Sequence, residues 1–298
     1  RLGGPGGWLL ALPAEHVAGV QVIVRALLAG APPHILDVRD GFRPTGFAEA
    51  TAALGPEPRY TSLVPTQLRR ILDARDASAL DGLRGYTAVL VGGAALDSQT
   101  RERALAQHVR VVTTYGMSET AGGCVYDGVP LDGVTVELEA DGRILLGGPT
   151  LASGYLGSAD ETATAFAGGR FRTGDLGRWH DGRLEVLGRA DDMIVTGGEK
   201  VAPAAVERVL AAVPGVRSAC VTAIPDDEWG QVVVAAVVLE SPDPGWEDRL
   251  RADVRAGLGR AAVPRRILAV AEIPLRGIGK PDRAEVARLV AERETTAL

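Results

Sequence analysis

The chain has 298 residues, 46% of them apolar, a net charge of −6, no basic stripe and no apolar run long enough to span a bilayer. These features argue against nucleic acid as the main partner and against membrane insertion, and they suit one large domain or a large and a small one. The two cysteines, Cys124 and Cys220, show neither a disulfide framework nor a zinc spacing; they suit small buried apolar residues in a reduced, cytoplasmic setting.

From Trp8 to Tyr115 short apolar runs alternate with helical patterns. Trp8–Leu12 reads as a strand, Val17–Leu28 as a helix, His34–Val38 as a strand and Phe47–Leu54 as a helix. Tyr60–Val64 is a strand, Gln67–Asp73 a helix, Thr87–Val91 a strand, Ser98–Gln107 a helix and Val109–Thr113 a strand. The alternation predicts a mostly parallel sheet covered by helices. After Tyr115 the pattern becomes antiparallel. Asp141-Gly142 separates Thr135–Leu138 from Arg143–Leu146, and Asp181-Gly182 separates Leu176–Trp179 from Arg183–Val186, two strong hairpin signals. A third pattern starts near Asp191. Pro203–Val213 is a helix with proline in its first turn, Cys220–Ile224 and Val232–Leu239 are strands, Trp246–Leu258 is a helix, Ile267–Val270 a strand and Arg283–Glu292 a helix. This predicts an α/β chain: a large domain over 1–190, with a mostly parallel sheet and a small antiparallel β region, and a small α+β domain over 191–298. Ser241–Gly245 is a short exposed loop.

Four segments carry candidate chemistry. Tyr115-Gly116-Met117-Ser118-Glu119-Thr120 follows a buried strand, where ligands gather at the carboxyl ends of open α/β sheets. Its glycine admits a ligand close to the backbone, its aromatic can stack on a base, and its carboxylate suits Mg²⁺. The hexapeptide also fits a strand-to-helix turn capped by Ser118. In Arg172-Thr173-Gly174-Asp175 the aspartate has the acceptors for a vicinal diol, or lies in a solvated turn. Gly188-Arg189-Ala190-Asp191-Asp192 and Thr196-Gly197-Gly198-Glu199-Lys200 form a hinge or a passive linker. Arg276-Gly277-Ile278-Gly279-Lys280-Pro281 ends in a lysine that can neutralise a phosphate or stand in water. Of 32 basic residues only Lys200 and Lys280 are lysine, both in glycine-containing loops, where a compact charge and a guanidinium are not equivalent.

The order and spacing of these segments resemble the adenylate-forming superfamily along essentially the whole chain, with Asp226-Asp227-Glu228-Trp229-Gly230 resembling its C-terminal domain. A narrower resemblance rests on Leu10–Gly19, Tyr60–Leu68 and Ser118–Pro130, above all Gly-Gly-Cys-Val-Tyr-Asp-Gly. These look like the family of o-succinylbenzoate–CoA ligases of menaquinone synthesis, in its actinobacterial form. The resemblance implies small-molecule substrates: ATP with Mg²⁺, coenzyme A and o-succinylbenzoate. A homo-oligomer is compatible with it.

By that resemblance Tyr115 stacks on adenine in a nucleotide site with Gly116 and Met117, and Gly92, Gly93 and Ala94 form the opposite wall. Thr120 meets the α-phosphate, Glu119 the Mg²⁺, and Asp175 with Arg189 the ribose. Lys280 bridges carboxylate and phosphate during adenylation. Asp191 is the hinge of a C-terminal lid, and Gly197, Gly198, Glu199 and Lys200 line the coenzyme A path. His16, Ser62, Gly122 and Gly123 face the acyl group; His16 serves equally well as a residue satisfying a buried helix start. The family's Ser/Thr/Gly-rich phosphate loop has no counterpart in the 298 residues and is expected upstream of Arg1. Without it, weak ATP binding and little adenylation are expected. The alternatives are an aryl- or fatty-acyl-CoA ligase and a non-catalytic nucleotide-binding remnant. A doubly wound dehydrogenase is disfavoured, because no Gly-x-Gly-x-x-Gly follows the first strand.

Overall fold

A computed structural model describes residues 1–56, 58–276 and 280–295. The first unit is a seven-stranded sheet built from β1 (Gly7–Leu10), β2 (His34–Ile35), β3 (Arg59–Leu63), β4 (Ala88–Val91), β5 (Val111–Met117), β6 (Gly122–Tyr126) and β7 (Val129–Pro130), in the order β2-β1-β3-β4-β5-β6-β7. Pairing is parallel from β2 through β5 and antiparallel from β5 to β7. The connecting helices are α1 (Val17–Leu28), α2 (Pro44–Ala52), α3 (Pro65–Leu72), α4 (Ser78–Arg84) and α5 (Ser98–Ala106). The two sheet faces bury separate cores: Leu9, Phe47, Leu63, Leu68 and Val89 on one, Trp8, Leu10, Val22, Tyr60 and Leu90 on the other. Neighbours along each strand thus go to opposite faces, as a sheet covered on both sides requires.

Two predicted helices begin earlier than periodicity suggests, because Pro44 and Pro65 occupy first turns where a missing N–H costs nothing. The predicted strand His34–Val38 shrinks to two residues at the sheet edge. Beyond it Asp37 accepts the backbone N–H and guanidinium of Arg39 and turns the chain away.

The antiparallel region is a four-stranded sheet, with β8 (Thr135–Leu138), β9 (Arg143–Gly147), β10 (Arg170–His180) and β11 (Arg183–Arg189) in the order β11-β10-β9-β8. Both predicted Asp-Gly hairpins form there, with Asp181 and Gly182 at φ 48° and 71° as a tight primed turn demands. The helix α6 (Ala159–Ala165) precedes β10.

The third region opens with a two-stranded hairpin, β12 (Ile194–Thr196) and β13 (Glu199–Val201), and continues with α7 (Pro203–Ala212), β14 (Val216–Asp226), β15 (Gly230–Leu239), α8 (Trp246–Leu258) and β16 (Arg266–Ala269). A hairpin of β17 (Leu275–Arg276) and β18 (Lys280–Pro281) leads into α9 (Arg283–Thr295). The sheet β14-β15-β16 is buried on both faces. Val206, Leu210, Val233, Val237 and Leu250 pack on one side, Cys220, Val234, Leu268, Val286 and Val290 on the other. This region meets the first unit where α7 packs on α5 and where Arg217 reaches Asp73 at 2.8 Å, and it meets the antiparallel region where α7 packs on β11.

Candidate active site

The pairing of β4 with β5 stops at Val91 and Thr113, so the segment after β4 and the onward run of β5 lie at the same carboxyl edge of the parallel strands. Gly92 packs closely on β5: a Cβ there would lie 2.3 Å from Thr114 Oγ1 and 3.0 Å from Thr114 O. Gly93 follows at φ +79°, and Gly92–Ala94 forms a wall beside β5.

The alternative reading of this segment, a strand-to-helix turn capped by Ser118, is not what forms. β5 runs on to Met117, a single 3₁₀ turn covers Ser118–Thr120, and β6 returns antiparallel, with Gly116 opposite Gly123. A Cβ on Gly116 would lie 2.0 Å from Gly122 O, so only glycine permits this approach. The Thr120 hydroxyl locks the turn. It is buried, accepts from Met117 N at 3.0 Å and donates to Gly122 O at 2.7 Å. Ser118 is exposed. Glu119 is half-buried between them, and Tyr155 Oη donates to its Oε1 at 2.9 Å. Burial, then the bond to Glu119, pushes the Tyr155 phenol up to about 12, so it remains a donor at neutral pH.

Asp175 reaches Tyr115 from β10. The ladder to β9 is irregular between Arg172 and Leu176, and such bulges re-aim side chains. Thr173 Oγ1 fills the gap, donating to Ile144 O at 2.9 Å and accepting from Asp175 N at 3.0 Å. Asp175 Oδ2 then accepts from Tyr115 Oη at 2.8 Å, and Oδ1 stands 3.8 Å from Arg189 Nη1 on β11. The same guanidinium lies 3.5 Å from Asp191. Burial first, and the Asp175 charge second, hold the Tyr115 phenol far above its ordinary range. A Cβ on Gly174 would sit 2.6 Å from Arg189 Nη2, so that glycine makes room for the arginine.

On the other side of the hairpin, Gly122 at φ +101° abuts α1: a Cβ there would meet Gln21 Cγ at 3.0 Å and Val17 Cγ2 at 3.9 Å. Gly123 is hemmed in by Thr114 and Tyr126. His16 immediately precedes α1, exposed and without a side-chain cap bond, so it does not satisfy a buried helix start. Ser62 is buried in β3.

Asp191 is exposed just past β11. The Gly197–Lys200 segment is neither linker nor open loop. Gly197 and Gly198, at φ 56° and 82°, form the tip of the β12–β13 hairpin, and Glu199 and Lys200 are exposed. Gly197 N donates to Trp229 O at 3.1 Å, and a Cβ on Gly197 would lie 2.5 Å from the Trp229 ring. Lys280 is exposed on β18, paired with Arg276, and its ammonium makes no hydrogen bond or ion pair with a described residue; Gly277–Gly279 lie outside the described residues. Three residues on, Arg283 binds Glu207 of α7 through two bonds, donates to Val221 O and stands 3.7 Å from Asp192.

The structure therefore gathers Tyr115, Asp175 and Arg189, sets Glu119 on the same hairpin as Tyr115, and places Gly122 beside α1 and Gly123 against Thr114 and Tyr126. It does not bring Lys280 or Lys200 into contact with them. Sequence reasoning weighed Ser118 only as a helix cap within its segment and overlooked Tyr155, Gln21 and Arg283. Only Tyr155, flanked by Gly154 and Gly157, had a local signal.

Among the described residues no cluster of three or more His, Cys, Asp or Glu could hold a metal. Glu119 offers one carboxylate whose Oε2 takes no hydrogen bond from a described residue. That fits Mg²⁺ carried in by substrate phosphates, which needs only one or two carboxylates from the protein.

Tyr115, Asp175 and Arg189 thus meet where the seven-stranded mixed sheet adjoins the four-stranded antiparallel sheet. The AMP-binding enzyme family matches residues 6–156, and its AMP-binding enzyme C-terminal domain matches residues 205–280. The chain belongs to the AMP-binding enzyme family. Within it, the chain is 47% identical over 295 residues to the probable 2-succinylbenzoate–CoA ligase of Mycobacterium tuberculosis, spanning 98% of this chain and 76% of that protein. The amide bond synthetase of Marinactinospora thermotolerans superposes with a TM-score of 0.84 at 28% identity, over 96% of this chain and 63% of that one. The o-succinylbenzoate CoA synthetase of Bacillus subtilis, solved with its acyl-adenylate intermediate, gives 0.78 at 26%, over 96% and 62%. The chain thus spans less than two thirds of these solved chains. The resemblance to o-succinylbenzoate–CoA ligases carried by Leu10–Gly19, Tyr60–Leu68 and Ser118–Pro130 is borne out by these relatives.

Proposed function

We propose that this protein ligates o-succinylbenzoate to coenzyme A at the expense of ATP through an acyl-adenylate, in menaquinone synthesis, with residues 1–190 as the adenylating unit and 191–298 as its lid. The observation that carries the reading is the Tyr115–Asp175–Arg189 cluster at the ends of β5, β10 and β11. The names of the relatives supply the acid and the thiol. Among the described residues no helix is long and apolar enough to cross a membrane, and a cytoplasmic place suits ATP and coenzyme A as substrates.

Each residue has a physical task. The Tyr115 ring offers a face to adenine, opposite Gly92–Ala94. Asp175 accepts from the ribose diol, with Arg189 supporting its charge. We assign the α-phosphate hydroxyl to Ser118 rather than Thr120, because Ser118 is exposed whereas the Thr120 hydroxyl already serves two backbone groups. Glu119 would hold Mg²⁺, which offsets charge on the phosphate oxygens when bound. A carboxylate is a poor electrophile. Its attack on the α-phosphate, with pyrophosphate leaving, needs a cation at the developing charge, and Lys280 supplies it once the lid is turned inward about Asp191. The coenzyme A thiol then attacks the acyl carbonyl and AMP leaves. The β12–β13 tip, Gly197–Lys200, lines the thiol's approach after the lid turns back. His16, Ser62, Gly122 and Gly123 bound the acyl group, with Gln21 joining them from α1.

The test is thioester formation by the full-length protein across o-succinylbenzoate, benzoate and a medium-chain fatty acid, with ATP and coenzyme A. A preference of at least about 100-fold in kcat/KM for o-succinylbenzoate is expected. Equal turnover of the other acids would overturn the substrate; binding of nucleotide without any thioester would overturn the reaction.

A further inference from the structure

The loop between β9 and α6 plays no part in the reaction described above, yet it grips the Glu119 turn at two points. Ala152 N donates to Glu119 O at 2.8 Å, and Tyr155 Oη donates to Glu119 Oε1 at 2.9 Å. Tyr155 is itself held from several sides. Its backbone N–H donates to Thr162 Oγ1 at 2.8 Å. A Cβ on Gly154, which stands at φ +147°, would lie 2.4 Å from Thr162 Cγ2, so the chain enters the tyrosine in one conformation. The ring stands edge-on to Phe166 at 5.5 Å, and Phe166 lies 4.9 Å from Phe171 on β10, four residues before Asp175. A continuous aromatic row thus connects the strand of the ribose aspartate to the carboxylate on the neighbouring hairpin.

A half-buried carboxylate on a one-turn helix has several rotamers open to it. With Oε1 fixed by a phenol, Oε2 is left to aim in one direction. We propose that Tyr155 is a positioning residue for adenylation, orienting the Glu119 carboxylate toward the nucleotide-borne divalent cation. The proposal rests on the functional reading above. It assigns Tyr155 no contact with substrate and no proton transfer.

The experiment is Tyr155→Phe in the full-length protein, which keeps the ring on Phe166 and deletes only the hydroxyl. Three quantities are measured: affinity for Mn²⁺ in the presence of ATP, by electron paramagnetic resonance; the Mg²⁺ dependence of pyrophosphate exchange; and thioester formation from supplied acyl-adenylate. Loss of an orienting partner weakens cation binding about 10-fold or more. Half-saturating Mg²⁺ should rise by the same factor, while the thioester step stays within about twofold of wild type. Glu119→Gln with Tyr155→Phe should be no worse than Glu119→Gln alone, since both act through one carboxylate. Unchanged cation affinity in Tyr155→Phe, or an equal fall in both half-reactions, would overturn the proposal while leaving the functional reading intact. A wild-type protein that neither binds Mn²⁺ with ATP nor forms thioester would overturn that reading and the proposal with it.

Discussion

Two hydroxyls flank Glu119 and face opposite ways, a difference the letters Ser-Glu-Thr do not encode. One 3₁₀ turn carries successive side chains through roughly 120°, so Thr120 goes into the protein while Ser118 stays exposed. Thr120→Val should therefore cost stability, about 1–3 kcal/mol for two backbone groups left without their partner, read as a lower denaturation midpoint. Ser118→Ala should leave that midpoint unchanged and slow adenylation; the opposite pattern would return the phosphate role to Thr120. Lys280→Ala should abolish adenylation, yet spare thioester formation from supplied acyl-adenylate. Equal loss of both steps would contradict a lysine that serves only the first. At this scale the sequence showed which residue types were present, and tertiary packing decided which side chains met. The Tyr115–Asp175 bond spans 60 positions and depends on a bulge in β10 that no local pattern announces.

Among the elements, those with a self-contained signal were legible. The Asp-Gly turns at 141–142 and 181–182 carry their own φ > 0 chemistry, and Val17–Leu28 and Trp246–Leu258 match their predicted bounds. The antiparallel return of β6 was not legible, because Gly122-Gly123 gives no alternation; it forms because glycines let two backbones touch. The short helix α4 was missed for lack of length. The β12–β13 hairpin was read as hinge or linker because its strands are three residues long. Its geometry now makes a prediction. Gly197→Val would place a branched side chain at φ 56° against Trp229, at a cost of about 1–3 kcal/mol. Thioester formation should fall while pyrophosphate exchange persists, measured as separate half-reactions. A variant with both steps unchanged would remove this tip from the coenzyme A path.

For the molecule as a whole, the mostly parallel sheet, the antiparallel region and the C-terminal α+β region were readable from the change of pattern along the chain. How the regions lean on one another was not, since it rests on contacts between distant segments, α7 on α5 and β11 and the Arg217–Asp73 ion pair. Asp73, at the end of α3, accepts from Arg103 of α5 and from Arg217 of β14, each at 2.8 Å. Burial pushes its carboxyl up, but the two guanidinium groups outweigh burial and hold it below its ordinary value. A folded-state value below the unfolded one stabilises above the usual carboxylate range, near 3.9, and the contribution is lost as pH falls through the folded value. Asp73→Asn should therefore flatten the acid limb of the stability curve and speed proteolytic cutting near Asp191. An unaltered acid limb and cutting rate would show the contact to be incidental. Asp191→Pro should stall thioester formation while leaving pyrophosphate exchange; intact overall turnover would remove Asp191 as hinge. Both cysteines are fully buried, and burial raises both thiols, Cys220 to about 12. The only lysine amines are those of Lys200 and Lys280. If the proposed mixed anhydride escaped before its thiol arrived, it would meet within these 298 residues no exposed cysteine and just two lysine amines, so this part of the protein offers few nucleophiles to acylate.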